Sequence, residues 1–311
     1  MAGEYIDFAA QIEQTKKIKG RMDRIRRKVL VMSGKGGVGK TTVTVNLANA
    51  LVDAGRTVGV LDTDIHGPNV AKMFGVEGRL METEDGKTLH PVEPRPGLKV
   101  VSLSFALPDA DAPIVWRGPM KLAAIKQFLA DVEWGDLDYL LIDSPPGTGD
   151  EQLAVTQNLP GLSGSVIVTT PQAVAIVDAR KSVNFSYRLG VPVLGVVENM
   201  SGLKCPGCGE DIPVFGIGGG KIMAEEMSVP FLGRVPLEIQ LREAEDAGRS
   251  WVSEAGAGPS ATALKEIAAY IDSLEDGYLH MIGESARKAK AEADAAEREA
   301  AQAAREEQDG R

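Results

Sequence analysis

Aromatic residues, cysteines and long apolar runs are all scarce in this chain of 311 residues. Phe, Trp and Tyr make up 5% of it, so aliphatic side chains have to build the core, which suits a parallel sheet buried on both faces. Two cysteines are too few for a secreted disulfide scaffold. No apolar run could span a bilayer, and the first residues lack the apolar centre of a signal peptide. We therefore expect a cytoplasmic protein without a membrane partner.

The chain also has fewer basic residues than acidic ones. The chain has 34 Lys and Arg against 44 Asp and Glu, which gives a formal net charge of -10. Nucleic-acid binding usually needs a basic surface, so no nucleic-acid partner is expected. One basic run does occur, between Lys16 and Lys28. Such a run usually forms a solvated helix face, and binding to an anion or a partner is the less common alternative.

The most informative motif is a glycine-rich loop between a predicted strand and a predicted helix. It fits the phosphate-binding pattern G-x-x-x-x-G-K-[ST] and carries a second lysine, Lys35. Its glycines let backbone N–H groups turn towards phosphate oxygens, and the following helix adds its positive end. Lys40 is expected to reach the β- and γ-phosphates of a nucleotide, and the Thr41 hydroxyl to bind Mg²⁺. The loop consists of Gly34, Lys35, Gly36, Gly37, Val38, Gly39, Lys40, Thr41 and Thr42.

Two other predicted strands end in carboxylates. Asp143 ends one strand at the Walker B position, where it would hold Mg²⁺ through water. The proline- and glycine-rich segment 144–149 follows and could respond to the γ-phosphate through its backbone. At the end of another strand, Asp64 could orient the attacking water and Asp62 could support the metal site. The alternative interpretation is a turn aspartate after a buried strand for Asp143, and a solvated acidic turn for Asp62 and Asp64.

Both cysteines lie in one motif, Cys205-Pro206-Gly207-Cys208-Gly209. A thioredoxin-like redox pair would need a helix N-terminus behind Cys205, and none is evident. A metal site needs four ligands, and none of the three histidines lies near the pair in sequence. Two copies of the chain could together supply four cysteines. Such a shared site suits either Zn²⁺ or a 4Fe–4S cluster.

Predicted strands and helices alternate along the chain. The strands are expected at 28–33, 57–62, 98–103, 138–143, 164–169, 192–198 and 230–235. The helices are expected at 40–54, 118–132, 150–157, 173–189, 219–227 and 260–274. This order predicts an α/β fold with a mainly parallel, doubly wound sheet and helices on both faces. Asp85-Gly86, between apolar residues, predicts a surface β-hairpin within 79–95.

We expect three parts along the chain. Residues 1–27 form a helical arm, residues 28–275 form the nucleotide-binding domain, and residues 276–311 form a charged helix or a disordered tail. From Glu284 onwards the tail consists mostly of Ala, Glu, Lys and Arg. It lacks the bulky apolar face of a helix that lies on a membrane surface.

The second lysine in the loop marks the deviant Walker A group of P-loop NTPases, which includes MinD, ParA and the nitrogenase iron protein. Within that group the sequence closely resembles the Mrp-type (ApbC/Nbp-like) iron–sulfur cluster carrier ATPases over about residues 28–275. The four-cysteine N-terminal motif of the eukaryotic Nbp-type members is missing. The segments that carry the resemblance are GKGGVGKTT at 34–42, DTDIHGPN at 62–69, DSPPGTGDE at 143–151, ENMSG at 198–202 and CPGCG at 205–209.

The resemblance implies a function. It implies a homodimer that binds ATP with Mg²⁺, hydrolyses it slowly, and passes a 4Fe–4S cluster to apoproteins. In that family Cys205 and Cys208 would match the cluster ligands, so two protomers would bridge one cluster. Zinc at the same four cysteines is the alternative.

The resemblance also implies roles for individual residues. Lys35 would reach across the dimer to the partner's nucleotide, much as an arginine finger does. Asp64 would match the residue that positions the hydrolytic water, and Asp143 the Walker B aspartate. Asn199 falls where the group recognises adenine, and Pro236 lies on a nearby loop.

Three other functions are open at this point. A ParA- or MinD-like positioning ATPase would hold no cluster and would present a contact surface for a membrane or DNA. An ATPase with a purely structural zinc site would share the four cysteines. A nucleotide kinase would need an acceptor site and a lid with arginines, for which the sequence offers no clear candidate.

Overall fold

The computed structural model describes residues 8–64, 67, 69–79, 83, 88–106 and 118–309. The strands are β1 Ile25–Ser33, β2 Val58–Asp62, β3 Val92–Arg95, β4 Leu98–Ser102, β5 Leu137–Asp143, β6 Gly164–Thr169, β7 Val193–Lys204, β8 Asp211–Ile212 and β9 Phe231–Leu237. The helices are α1 Phe8–Met22, α2 Lys40–Asp53, α3 Val70–Met73, α4 Gly118–Asp131, α5 Asp150–Asn158, α6 Ala173–Arg188, α7 Gly219–Glu226, α8 Ile239–Asp246, α9 Pro259–Ser273 and α10 Asp276–Asp309. Short 3₁₀ turns occur at Leu103–Ala106 and Trp251–Ser253.

The strands form one sheet in the order β3-β4-β2-β5-β1-β6-β7-β8, and β9 also pairs with β7. All pairings are parallel except β3 with β4 and β7 with β8. The chain leaves β1 for one side of the sheet and later returns to its other side through β6. β1 is therefore a topological switch point, where open α/β sheets bind ligands beyond the carboxyl ends of their strands.

Alternate residues of the central strands point to opposite faces of the sheet, and each face is buried. Val29 and Val31 of β1 belong to a core with α2 and α9, whereas Leu30 and Met32 belong to a core with α1 and α4. A strand buried on both faces has to be apolar throughout, which explains the continuous aliphatic runs. The predicted α/β class, with a mainly parallel sheet and helices on both faces, is confirmed.

The first helix is fixed to the body of the protein. Ile18 and Met22 are buried in the core beside α4. Lys28 on β1 is also buried, and its ammonium donates to the Met22 and Ile25 carbonyl oxygens at 3.0 and 2.9 Å. Free carbonyls at a helix C-terminus attract a cation, so Lys28 caps α1. In the basic run, Lys17, Arg21 and Arg24 form ion pairs with acidic residues of the α4–β5 region.

The structure differs from the sequence-based expectations at several element boundaries. β1 starts at Ile25 instead of residue 28, and β7 continues to Lys204 instead of ending at 198. Helix α8 was not predicted. The expected turn at 85–86 lies outside the described residues. An antiparallel pair does form next to it: Val92–Arg95 pairs with Leu98–Ser102, and Gly97 in the turn between them has a φ of +82°. Of the described helices, none combines the length and apolarity needed to cross a membrane.

Candidate nucleotide site and cysteine loop

The phosphate loop, residues 34–42, connects the carboxyl end of β1 to helix α2. Gly37 and Gly39 have φ of +79° and +80°, a left-handed conformation that glycine adopts without strain. At two positions in the loop there is also no room for a side chain. A Cβ at Gly34 would lie 2.2 Å from the Asp178 carbonyl carbon of α6, and one at Gly39 would lie 2.1 Å from the Asn199 amide nitrogen. The loop is therefore packed between α6 and β7 in one defined path.

Lys40 and Asp143 meet at the centre of the loop. Asp143 is fully buried, and its carboxylate accepts hydrogen bonds from Thr41 Oγ1 at 2.7 Å and Thr44 Oγ1 at 2.8 Å. Lys40 Nζ is also buried and lies 2.8 Å from Asp143 Oδ2, at an angle outside hydrogen-bond geometry. The ion pair with Asp143 engages one side of the ammonium, which has three N–H donors, so the remaining hydrogens are available for phosphate oxygens.

A second carboxylate lies beside the first. β2 and β5 are neighbours in register, which sets Asp62 opposite Asp143. Asp62 is fully buried and accepts from Ser102 Oγ at 2.9 Å and from the Asp64 N–H at 3.0 Å. Burial and then the Asp143 charge raise the pKa of Asp62 well above its ordinary value, while Lys40 opposes the rise. Two close carboxylates with hydroxyl oxygens around them are the donor set that a hard cation such as Mg²⁺ prefers.

The segment after Asp143 is anchored to β1. Ser144 Oγ donates to the Val31 carbonyl oxygen at 2.6 Å and accepts from Gln152 Nε2 at 3.1 Å. The Gly147 N–H donates to the Ser33 carbonyl oxygen at 2.8 Å. The proline- and glycine-rich segment therefore starts from a rigid point next to the phosphate loop.

The opposite side of the loop is bordered by β7 and β9. Asn199 is buried, and its amide donates to the Val38 carbonyl oxygen at 2.9 Å. Asn199 pairs with Val235 across the two strands, which places Pro236 beside it at the partly exposed end of β9. Contact of Asn199 and Pro236 with adenine stays a prediction. Lys35 is partly exposed in the loop, and its role across a dimer also stays a prediction.

The cysteine loop, residues 205–210, connects β7 to β8. The Cys205 N–H donates to the Glu210 carbonyl oxygen and the Gly209 N–H to the Cys205 carbonyl oxygen, both at 2.8 Å. Hydrogen bonds from the Cys208 and Gly207 backbone N–H groups lower the pKa of the Cys205 thiol. Cys205 is partly exposed, Cys208 is exposed, and neither is in a disulfide. A lowered pKa favours the thiolate, which is the form that binds metals.

One strand joins these two regions. Asn199, at the phosphate loop, and Cys205, the residue after β7, are six residues apart in sequence, at most roughly 20 Å. The predicted residues thus fall into two groups, one around Lys40 and Asp143 and the other at the cysteine loop. In the part of the chain that the structure describes, no group of three or more His, Cys, Asp or Glu side chains could hold a metal ion.

Several residues of the nucleotide site were not predicted from the sequence. Thr44 lies one helical turn after Lys40 on α2, so the helical period could have indicated it. Ser102 and Gln152 carry no such local signal, because their contacts depend on the pairing of β4 with β2 and on the packing of α5.

Known proteins resemble this chain in sequence and in fold. A family model described as the ParA-type NUBPL iron-transfer P-loop NTPase matches residues 24–272. An iron–sulfur cluster carrier protein of Methanocaldococcus jannaschii is 52% identical over 237 residues, 76% of this chain and 81% of the relative. The cytosolic Fe–S cluster assembly factor CFD1 of Chaetomium globosum is 48% identical over 242 residues, 74% of this chain and 80% of the relative.

Solved structures agree with this grouping. A nucleotide-binding protein of Archaeoglobus fulgidus in complex with ADP is 37% identical, with a TM-score of 0.69 over 80% of this chain and 95% of the other. The cell division ATPase MinD of Pyrococcus furiosus is 25% identical, with a TM-score of 0.59 over 80% of this chain and 100% of the other. The chain therefore belongs to the NUBPL/Mrp-type iron-transfer P-loop NTPases of the ParA family.

Proposed function

We propose that this protein is an ATP-hydrolysing iron–sulfur cluster carrier. Two copies hold one 4Fe–4S cluster through Cys205 and Cys208, and ATP binding and hydrolysis control its transfer to apoproteins. The observation that carries the proposal is the pair Cys205 and Cys208, with a lowered pKa at the Cys205 thiol, on the loop that follows the strand in contact with the phosphate loop. The names of the Methanocaldococcus jannaschii carrier and of the cytosolic assembly factor support the same role and a cytoplasmic setting.

The nucleotide site has the groups that ATP hydrolysis needs. The backbone N–H groups of the phosphate loop and the Lys40 ammonium would bind the phosphates. Thr41 and Asp143 would hold Mg²⁺, which neutralises phosphate charge when bound. Asp64 follows β2 at the edge of this site and would orient the attacking water. Lys35 of a second copy would add positive charge in the transition state.

The number of cysteines points to a shared cargo site. Each chain has two, and a 4Fe–4S cluster takes four thiolates. The protein's share of the chemistry is to present two sulfurs on a tight loop whose backbone N–H groups stabilise the Cys205 thiolate. Zinc would fit the same four sulfurs, so metal analysis has to separate the two cargoes.

Apolar side chains near the cysteine loop support pairing of two copies. Ile212, Val214 and Ile217, just beyond the loop, are 41 to 49% exposed. The start of α6 packs against the segment that follows these residues, since a Cβ at Gly219 would lie 2.4 Å from the Pro171 carbonyl oxygen just before α6. Val174 and Val177 there are 65 and 56% exposed. Clustered exposed apolar side chains commonly mark an interaction surface. We place the dimer contact on this side, where it would also bring two cysteine loops together.

Strand β7 offers a physical route from the nucleotide to the cargo. Asn199 contacts the phosphate loop, and the adjacent Glu198 is buried, accepting from the Gly218 and Gly220 N–H groups of the α7 N-terminus at 2.8 and 2.5 Å. A shift of the loop on ATP binding would therefore move both the cysteine end of β7 and α7. ATP can control the cluster only if the ATP-bound and ATP-free forms of the protein differ in their affinity for the cluster.

Two variants test the proposal. Lys40→Ala should abolish ATP hydrolysis, because it removes the buried ammonium from the phosphates, while the fold is retained. Cys205→Ala should lose bound iron and sulfide but still bind ATP. Lys265→Ala, an exposed lysine on α9, is the matched control and should behave as the parent protein in both assays.

The assays are steady-state phosphate release and anaerobic iron, sulfide and zinc analysis. Turnover that survives in Lys40→Ala would rule out this nucleotide site. Iron and sulfide undiminished in Cys205→Ala would rule out the cysteine ligands. Zinc without sulfide in the parent protein would favour the structural-zinc alternative.

A further inference from the structure

Helix α8 brings a buried carboxylate to the start of α2. Glu245 is 8% exposed. Its Oε2 accepts from Thr42 Oγ1 at 3.1 Å and its Oε1 from Asn46 Nδ2 at 2.8 Å. Thr42 and Asn46 lie one turn apart on α2, and the Asn46 amide also donates to the Thr42 carbonyl oxygen at 2.9 Å. Glu245 thus holds the first two turns of the helix that starts in the phosphate loop.

The two ends of the same short helix lie next to β9 in sequence and next to α3 in space. It begins two residues after β9 ends, close to Pro236 on the predicted base side. At its far end, Gly248 packs against Gly75, which follows α3 and the segment of Asp62; a Cβ at Gly248 would lie 2.5 Å from the Gly75 Cα. α8 is therefore held to the phosphate-loop helix by Glu245, lies against the end of α3 at Gly248, and follows directly on the base-side strand β9.

A carboxylate at this buried position is energetically unfavourable. Burying it costs free energy that an apolar or amide side chain would not cost. The cost is visible because burial raises the pKa of Glu245 to about 7, although Thr42 and Asn46 oppose the rise.

We propose that Glu245 is a positioning residue of the nucleotide site: it holds α8, and with it the base-side end of β9, at a fixed distance from the phosphate loop. This inference rests on the proposed ATP binding at that loop. Glu245 touches neither the phosphates nor the metal ligand Thr41, so it acts through Thr42 and Asn46. When this link is lost, the base and phosphate contacts of one nucleotide no longer fit at the same time, and affinity falls.

The test compares Glu245→Ala and Glu245→Gln with Glu243→Ala, an exposed residue of the same helix. The measurements are the Kd for ATP with Mg²⁺ by calorimetry, kcat and KM for phosphate release, and the melting temperature. Glu245→Ala should raise the Kd and KM about tenfold, with a smaller change in kcat. A tenfold change in Kd corresponds to the loss of about one hydrogen bond of typical net strength. Glu245→Gln should restore most of the affinity, because its amide can hydrogen bond to both partners.

Each outcome decides between a positioning role and simple packing. A lower melting temperature of Glu245→Ala with unchanged Kd and KM would overturn the inference. If Glu245→Ala does not fold, Asn46→Ala removes the other half of the link and should weaken ATP binding in the same way; unchanged affinity there would also overturn it. Failure of the parent protein to bind ATP, or binding by Lys40→Ala as tight as by the parent, would instead contradict the proposed function.

Discussion

The ionisation of buried Glu245 makes the free energy of unfolding depend on pH. Burial raises the pKa of this carboxyl from 4.5 to about 7 on folding. Between these pH values the folded protein keeps a proton that the unfolded chain has released, so stability falls as pH rises. At about 1.4 kcal/mol for each tenfold change in proton affinity, the loss approaches about 3 kcal/mol. Glu245→Gln has nearly the same shape and cannot ionise, so it should lack this loss.

Urea unfolding of the parent protein and of Glu245→Gln, from about pH 5 to about pH 8, measures the effect. The unfolding free energy of the variant minus that of the parent should increase by about 2 to 3 kcal/mol from the lower to the higher pH. All other titrating groups cancel in this difference. Glu243→Gln, exposed on the same helix, should show no such trend. Parallel pH profiles for Glu245→Gln and the parent would refute the raised pKa and the burial that explains it.

Two further predictions concern local structure. Gly39→Ala should weaken ATP binding more than tenfold and lower the melting temperature, because its φ is +80° and the new Cβ would lie 2.1 Å from the Asn199 amide nitrogen; binding equal to the parent would contradict the loop geometry. Lys28→Met should leave ATP hydrolysis unchanged but raise amide hydrogen exchange in α1, since the helix loses its C-terminal cap. Lys16→Met, exposed on α1, is its control, and equal exchange in both variants would argue against the cap.

Local sequence patterns predicted the parts of the fold that local physics controls. The strand, glycine loop and helix around Lys40 follow from one contiguous segment, and the aliphatic runs predicted the central strands to within a few residues. Asp62 and Asp143 could be expected to meet because both end parallel strands at the same edge of the sheet. These inferences needed only periodicity, turn chemistry and the rules of parallel sheets.

Contacts between distant segments could not be predicted in this way. Glu245 is 203 residues from Thr42, and α8 is a short helix whose buried apolar side consists of Leu241 and Ala244. The extension of β7 beyond Glu198 depends on pairing with the two-residue strand β8, which is too short to recognise from alternation. Such features result from tertiary packing, and so does the link between Asn199 and the phosphate loop.

The central claim is that two chains share one iron–sulfur cluster through four cysteines under the control of ATP. Its most direct test is anaerobic iron, sulfide and zinc analysis combined with native mass spectrometry of the full chain, with and without ATP and Mg²⁺. We expect a dimer that carries four iron and four sulfide ions, roughly one cluster per two chains. The population of this dimer or its cluster content should change with ATP. A monomer without iron or zinc that still transfers iron–sulfur clusters to an apoprotein would contradict it.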